Sequence, residues 1–154
     1  MLVNDLMHRG AINIDANDSL SEAINLVNNL NIDRLMVMRK GKLVGIVSDR
    51  DLRRAAPSNA TALEIHEMRY LIDKIKIKEI MTPNPVTVRQ QDTVAHAAKI
   101  MYEKKISGLP VVDHANRAIG VLSRSDILRS VSRPEVNRRG ESRRPVNVLR
   151  YAKP

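Results

Sequence analysis

Gly45-Ile46-Val47-Ser48-Asp49-Arg50-Asp51-Leu52 and, 75 positions later, Gly120-Val121-Leu122-Ser123-Arg124-Ser125-Asp126-Ile127 carry the same pattern: a glycine-bearing apolar strand that runs into Ser-x-x-Asp. Working outward, a shift of 74 sets Asp18-Ser19-Leu20-Ser21-Glu22-Ala23-Ile24 on Asp92-Thr93-Val94-Ala95-His96-Ala97-Ala98, and Ile32-Asp33-Arg34-Leu35-Met36-Val37 on Ile106-Ser107-Gly108-Leu109-Pro110-Val111. One extra residue between Val112 and Gly120 accounts for the change of offset. The chain is a tandem repeat, and each copy is too small to cover its own apolar face with ease, so two copies are expected to share a core.

Each copy reads alike locally. Ile12-Asn13-Ile14 and Val86-Thr87-Val88 alternate as short strands. Asp18-Ser19 and Asp92-Thr93 then offer helix N-caps ahead of apolar stripes such as Leu20, Ala23, Ile24, Val27 and Leu30. Leu35 to Met38, the turn Arg39-Lys40-Gly41-Lys42, and Leu43 to Val47 make a hairpin, and a second helix opens near Ser48. The expected fold is α/β (α+β), with two β-α-β-β-α units. The expected organisation is repeat 1 over 1–56, a connecting helix over 57–76, repeat 2 over 77–131 and a basic tail over 132–154. In the connecting stretch Leu63, Ile65, Met68, Leu71, Ile72 and Ile75 recur at helical spacing.

Composition narrows the chemistry. The 154 residues are 43% apolar and 28% charged, with no Trp, Phe or Cys and only three Tyr, so core and pocket are aliphatic and neither disulfide nor thiolate chemistry is available. Four scattered His offer no metal-ligand spacing. No apolar run approaches the length of a membrane span and the first ten residues lack a secretion signal, which sets the expectation of a cytoplasmic protein without a membrane partner. The net charge is +9, and the tail supplies a surplus of five through seven Lys/Arg against two Glu. That tail reads either as a solvated segment or as an arm for nucleic acid, and the lack of interleaved aromatics weakens the second reading.

The Ser-x-x-Asp turns carry two readings. Ser48 with Asp51, and Ser123 with Asp126, suit a capping box in which each side chain satisfies the other residue's backbone N–H. The same elements suit a nucleotide, because a helix N-terminus attracts phosphate and an Asp one turn in can accept from vicinal ribose hydroxyls. Arg34, Arg50 and Arg124 stand where they can meet a phosphate or simply face water. Met36 and Pro110 begin core-like strands and can also line a flat base. His8 and Arg9 match Thr82 and Pro83 in the repeat register and read as a phosphate contact or a surface turn.

Ile106 to Asp113, Gly120 to Asp126 and Ile80-Met81-Thr82-Pro83-Asn84-Pro85-Val86-Thr87-Val88 resemble CBS domains, named after cystathionine beta-synthase, over roughly residues 1 to 131. Arg54-Ala55-Ala56-Pro57-Ser58-Asn59-Ala60-Thr61 is also similar to the CBS part of acetoin-utilisation-type proteins. The resemblance implies a Bateman module: two repeats in a pseudo-twofold disc, often a homodimer, binding AMP, ADP, ATP or S-adenosylmethionine in clefts between the repeats. Carried onto this chain, it implies that Asp126 holds ribose and Ser123, beside Arg124 and Ser125, contacts ribose or phosphate. Thr82, Pro85, Val86, Leu109 and Pro110 would enclose adenine. The equivalent first site would use Asp51, Ser48, Arg50, Ile12, Leu35 and Met36, with Arg34 toward phosphate. His8-Arg9-Gly10-Ala11 departs from the Thr-Pro-x-Pro of the second copy, Met36 stands opposite Pro110 and Gly108 opposite Arg34, so the expected ribose acid is Asp126.

The functional expectation is a regulatory module that senses an adenosine ligand and signals to an unidentified effector. No cofactor is required, the adenine nucleotide or S-adenosylmethionine being a regulatory ligand, and no catalysis is expected: P-loop, nucleophile elbow, Cys/His pair and metal-spaced acids are all missing from the sequence. The alternatives are a scaffold whose Ser-x-x-Asp pairs are only caps, and a nucleotide-controlled nucleic-acid binder acting through the tail.

Overall fold

The computed structural model describes residues 1–57 and 64–132, so the basic tail beyond 132 and residues 58–63, with Leu63 of the connecting stretch, lie outside the described residues. In chain order the elements are α1 (Val3–Leu6), β1 (His8–Arg9), β2 (Asn13–Asp15), α2 (Leu20–Leu30), β3 (Arg34–Arg39), β4 (Lys42–Ser48), α3 (Asp49–Ala55), α4 (Ile65–Lys74), α5 (Ile77–Ile80), β5 (Thr82–Pro83), β6 (Val88–Arg89), α6 (Val94–Lys104), β7 (Gly108–Val112), β8 (Ala118–Ser123) and α7 (Arg124–Ser132). The fold is mixed α+β with two four-stranded sheets, ordered β2-β3-β4-β5 and β1-β8-β7-β6.

The contacts divide the described residues into one unit within 12–85 and another of residues 1–11 with 86–132. The division therefore does not follow the order of the repeats. The leading segment of each copy, a short helix and a two-residue strand, joins the sheet of the other copy. In the unit of residues 12–85, β2 runs parallel to β3, β3 antiparallel to β4, and β4 antiparallel to β5 with Thr82 opposite Ile46. In the other unit the same order is made by β6, β7, β8 and β1, with His8 opposite Val121. The leaders are anchored identically: Ile77 N–H donates to the Asp18 carbonyl at 2.9 Å, and Val3 N–H to the Asp92 carbonyl at 2.8 Å. Val3 and Ile77 are both fully buried.

The local chemistry explains the elements between. Ser19 Oγ accepts from Glu22 N–H at 3.2 Å and Thr93 Oγ1 from His96 N–H at 3.1 Å, starting α2 and α6. Both helices stop at residues in the left-handed region, Asn31 and Lys105. The β3–β4 hairpin turns on Lys40 and Gly41, both at positive φ, as the two-residue turn that matches strand twist requires. The longer β7–β8 loop is closed by Asp113, whose Oδ1 accepts from Ala115 and Arg117 N–H.

Gly45 and Gly120 seat the exchanged leaders. A Cβ on Gly120 would stand 2.5 Å from the His8 carbonyl oxygen, and one on Gly45 would run into the Met81 side chain. One core gathers Leu20, Leu26, Val27, Leu35, Val37, Val47, Leu52 and Ile77; the other gathers Val3, Val88, Ala97, Met101, Leu109, Val111 and Leu122. Within the expected connecting stretch of 57–76, α4 covers Ile65–Lys74, and its packing edge is narrow: Ile72 touches the first core, whereas Ile65, Tyr70 and Leu71 are exposed.

Candidate functional site

The two Ser-x-x-Asp turns fold as the capping chemistry dictates. Ser48 ends β4 in extended conformation, its Oγ accepts from Asp51 N–H at 3.1 Å, and its own N–H donates to Asp51 Oδ2 at 2.8 Å. Ser123 repeats this: its Oγ accepts from Asp126 N–H at 3.2 Å and its N–H donates to Asp126 Oδ2 at 2.9 Å. Each turn is pinned to the residue that leads into the neighbouring strand, Asp49 N–H donating to the Asp33 carbonyl just before β3 and Arg124 N–H to that of Ser107 just before β7. The bland and the functional readings of the motif therefore use the same atoms. A carboxylate that caps a helix is also a carboxylate held rigidly beside a row of backbone N–H groups.

The surroundings of the two acids differ. Asp51 is half-buried, and Ser48 is its hydrogen-bond partner among the described residues. Asp126 is buried, and its second oxygen, Oδ1, receives His8 Nε2 at 2.8 Å, with Arg129 Nη1 at 3.5 Å. Ser123 Oγ–H adds a donor to Oδ2 at 2.5 Å. Burial works against ionisation of Asp126 and is the largest single influence, but the Ser123 hydroxyl and N–H and the His8 ring together outweigh it and hold the carboxyl below the ordinary aspartate range.

The unit of residues 12–85 brings together Ser48, Arg50, Asp51, Ile12, Arg34, Leu35 and Met36. Arg34 lies opposite Ser48 in the β3–β4 ladder, and Met36 N–H donates to the Ile12 carbonyl at 3.0 Å. Leu35 and Met36 are buried, Leu35 within the core of this unit, and Arg50 is exposed. An open depression of about 360 Å³ follows α3, lined by Asp49, Arg50, Arg53 and Arg54, with Arg53 paired to Asp49. Thr82 and Pro85, grouped from sequence with Asp126, belong to this unit, because β5 pairs with β4. The other unit holds Ser123, Arg124, Ser125, Asp126, Val86, Leu109 and Pro110, with Leu109 and Pro110 buried, and Val86, Arg124 and Ser125 exposed. Its additional member is His8, for which the sequence offered a phosphate contact or a surface turn; the repeat register aligned His8 with Thr82 but could not point it at an acid 118 positions away.

The CBS domain model matches residues 3–58 and again 77–133. This chain belongs to the CBS domain family. A CBS domain-containing protein of Dictyostelium discoideum is 36% identical over 83% of this chain and 89% of its own length. An L-aspartate semialdehyde sulfurtransferase of Methanocaldococcus jannaschii is 34% identical over 83% of this chain, which spans only 23% of that enzyme. Among solved structures, a CBS domain pair in complex with 5′-methylthioadenosine and S-adenosyl-L-methionine matches with TM-score 0.69 at 32% identity, over 85% of this chain and 95% of that one. A second CBS pair protein, in complex with AMP, matches with TM-score 0.70 at 27% identity, over 84% and 95%. In this CBS pair, no helix among the described residues is long and apolar enough to cross a membrane, and no group of acids and histidines among them could hold a metal ion.

Proposed function

We propose that this CBS pair is a regulatory module that binds an adenosine-containing ligand, AMP, ADP, ATP or S-adenosylmethionine, beside its Ser-x-x-Asp turns and reports occupancy to a partner without catalysing a reaction. The observation that carries the reading is the duplicated carboxylate, Asp51 and Asp126, each fixed one turn into a helix by a serine that ends a strand. A carboxylate so placed accepts from a ribose diol, while the N–H groups beside it and a neighbouring arginine suit phosphate or another anionic group. The CBS pairs in complex with AMP and with S-adenosyl-L-methionine support the ligand class. Arg50, exposed at the start of α3, and Arg34, opposite Ser48, are the basic groups assigned to the first site. A second copy of the chain belongs to the same reading, through exposed apolar side chains such as Leu128 and Val131 on α7, and sedimentation of the purified protein tests it.

The test is thermal unfolding with AMP, ADP, ATP, GTP and S-adenosylmethionine, on the unaltered chain and on Asp51→Ala and Asp126→Ala. A ligand that binds only the folded chain stabilises it by about 2.7 kcal/mol at a hundredfold excess over Kd. A shift with adenosine ligands, lost in one Asp variant, upholds the reading and names the working site. No shift with any of them sinks it.

One observation favours a scaffold instead: both capping boxes are complete without a ligand, so each Asp already has a structural role. The nucleic-acid reading rests on the tail, outside the described residues.

A further inference from the structure

Asp126 is the one buried charged side chain among the described residues, and neither of its oxygens is left without a donor. Oδ2 takes the Ser123 N–H and hydroxyl, and Oδ1 takes His8 Nε2, with the Arg129 guanidinium one turn along α7. The His8 side chain is half exposed, 51% against 5% for Asp126, so it covers the acid from the solvent side. It arrives there on β1, the leading strand that Gly120 lets approach β8. At the matching place in the other unit the leading strand carries Thr82, and among the described residues Asp51 has its hydrogen bonds with Ser48 alone. A ribose diol needs accepting oxygens, and at Asp126 both are already taken by donors.

We infer that His8 is a latch on the Asp126 site: a nucleoside ligand reaches this carboxylate only when the imidazole swings off it, so the two copies of the motif are unequal sites by construction. This rests on the nucleotide-binding reading above and adds the residue that sets access. The latch acts by competition, because His8 and the ribose hydroxyls are donors to the same oxygen. Replacing His8 removes the competitor and leaves the core untouched, since the ring is exposed and its strand is held by backbone pairing.

The experiment is calorimetric titration of AMP, ATP and S-adenosylmethionine, each separately, into the unaltered chain, His8→Ala, Asp126→Asn and the double variant. At least one of the three ligands is expected to bind His8→Ala about tenfold more tightly than the unaltered chain, the scale of one charge-assisted hydrogen bond at a half-exposed group. That gain is expected to vanish when Asp126 is Asn. Binding that weakens or stays unchanged in His8→Ala overturns the latch while leaving the nucleotide reading intact, as does a gain that persists without the Asp126 carboxylate. If none of the four proteins binds any of the three ligands, the nucleotide reading falls and the latch falls with it.

Discussion

Ile77 donates its backbone N–H to the carbonyl of Asp18 at 2.9 Å, so the first residue of the helix that leads the second repeat is fastened to the first. Its side chain is fully buried in the core with Leu20, Leu35 and Leu52, while Val3 occupies the same place in the other core with Leu109 and Leu122. The expected consequence is crossed damage. Ile77→Ala should destabilise by about 2–4 kcal/mol and Val3→Ala by somewhat less, the range for truncating a buried aliphatic side chain. Hydrogen exchange mapped by peptide should rise first within 12–57 for Ile77→Ala and within 86–132 for Val3→Ala. Exchange that rises only in the variant's own repeat would contradict the assignment of the leaders.

The seats of those leaders should be unequal in their tolerance. A methyl on Gly120 meets a backbone oxygen of His8, which moves only if the strand moves, whereas a methyl on Gly45 meets chiefly the flexible Met81 side chain. Gly120→Ala is expected to lose about 1–3 kcal/mol, and Gly45→Ala less, in urea unfolding of the two variants side by side.

Acid should weaken the protein through Asp126. Its folded pKa lies below its unfolded value, so the stability it contributes is complete above about pH 5, where both states are ionised, and is lost as pH falls through the depressed folded value. The groups facing it are Ser123, His8 and Arg129. Urea midpoints measured from pH 6 down to pH 3 should converge for the unaltered chain and Asp126→Asn. Asp113, also lowered, chiefly by the Arg117 backbone N–H, titrates in both proteins and cancels in the comparison. A gap that holds constant to pH 3 would refute the assignment.

The serines test how much of the motif is structural. Ser48→Ala removes a cap and should cost about 1 kcal/mol in thermal unfolding. Ser123→Ala should cost more, because it also takes a donor from a buried carboxylate. Equal losses would mean that the Ser123 hydroxyl contributes nothing beyond the cap.

Much of this fold was legible along the chain, because its signals are local. Ser19 and Thr93 cap helices through hydrogen bonds three residues long, the Lys40-Gly41 turn needs only its own positive φ values, and the Ser-x-x-Asp boxes close within one helical turn. Repetition then raised each weak local signal by showing it twice. The sequence also determined the family, since the apolar strands, their glycines and the acids recur in order across both copies.

Tertiary structure alone decided which segment completes which sheet. Leu2 to Met7 and Lys76 to Met81 share the pattern of a buried aliphatic residue followed by an acid that caps the helix, so either leader satisfies either unit by local criteria. A two-residue strand carries too little pattern to choose its partner, and the choice falls to packing between residues more than 30 positions apart in one unit and 110 in the other. The same exchange put Thr82 in the unit that holds Asp51 and brought His8 onto Asp126, the latter a contact with no periodicity, cap or spacing to announce it. Hydrogen bonds that close within a turn can be read from neighbours in the chain, whereas those that depend on two distant segments meeting exist only once the core has formed.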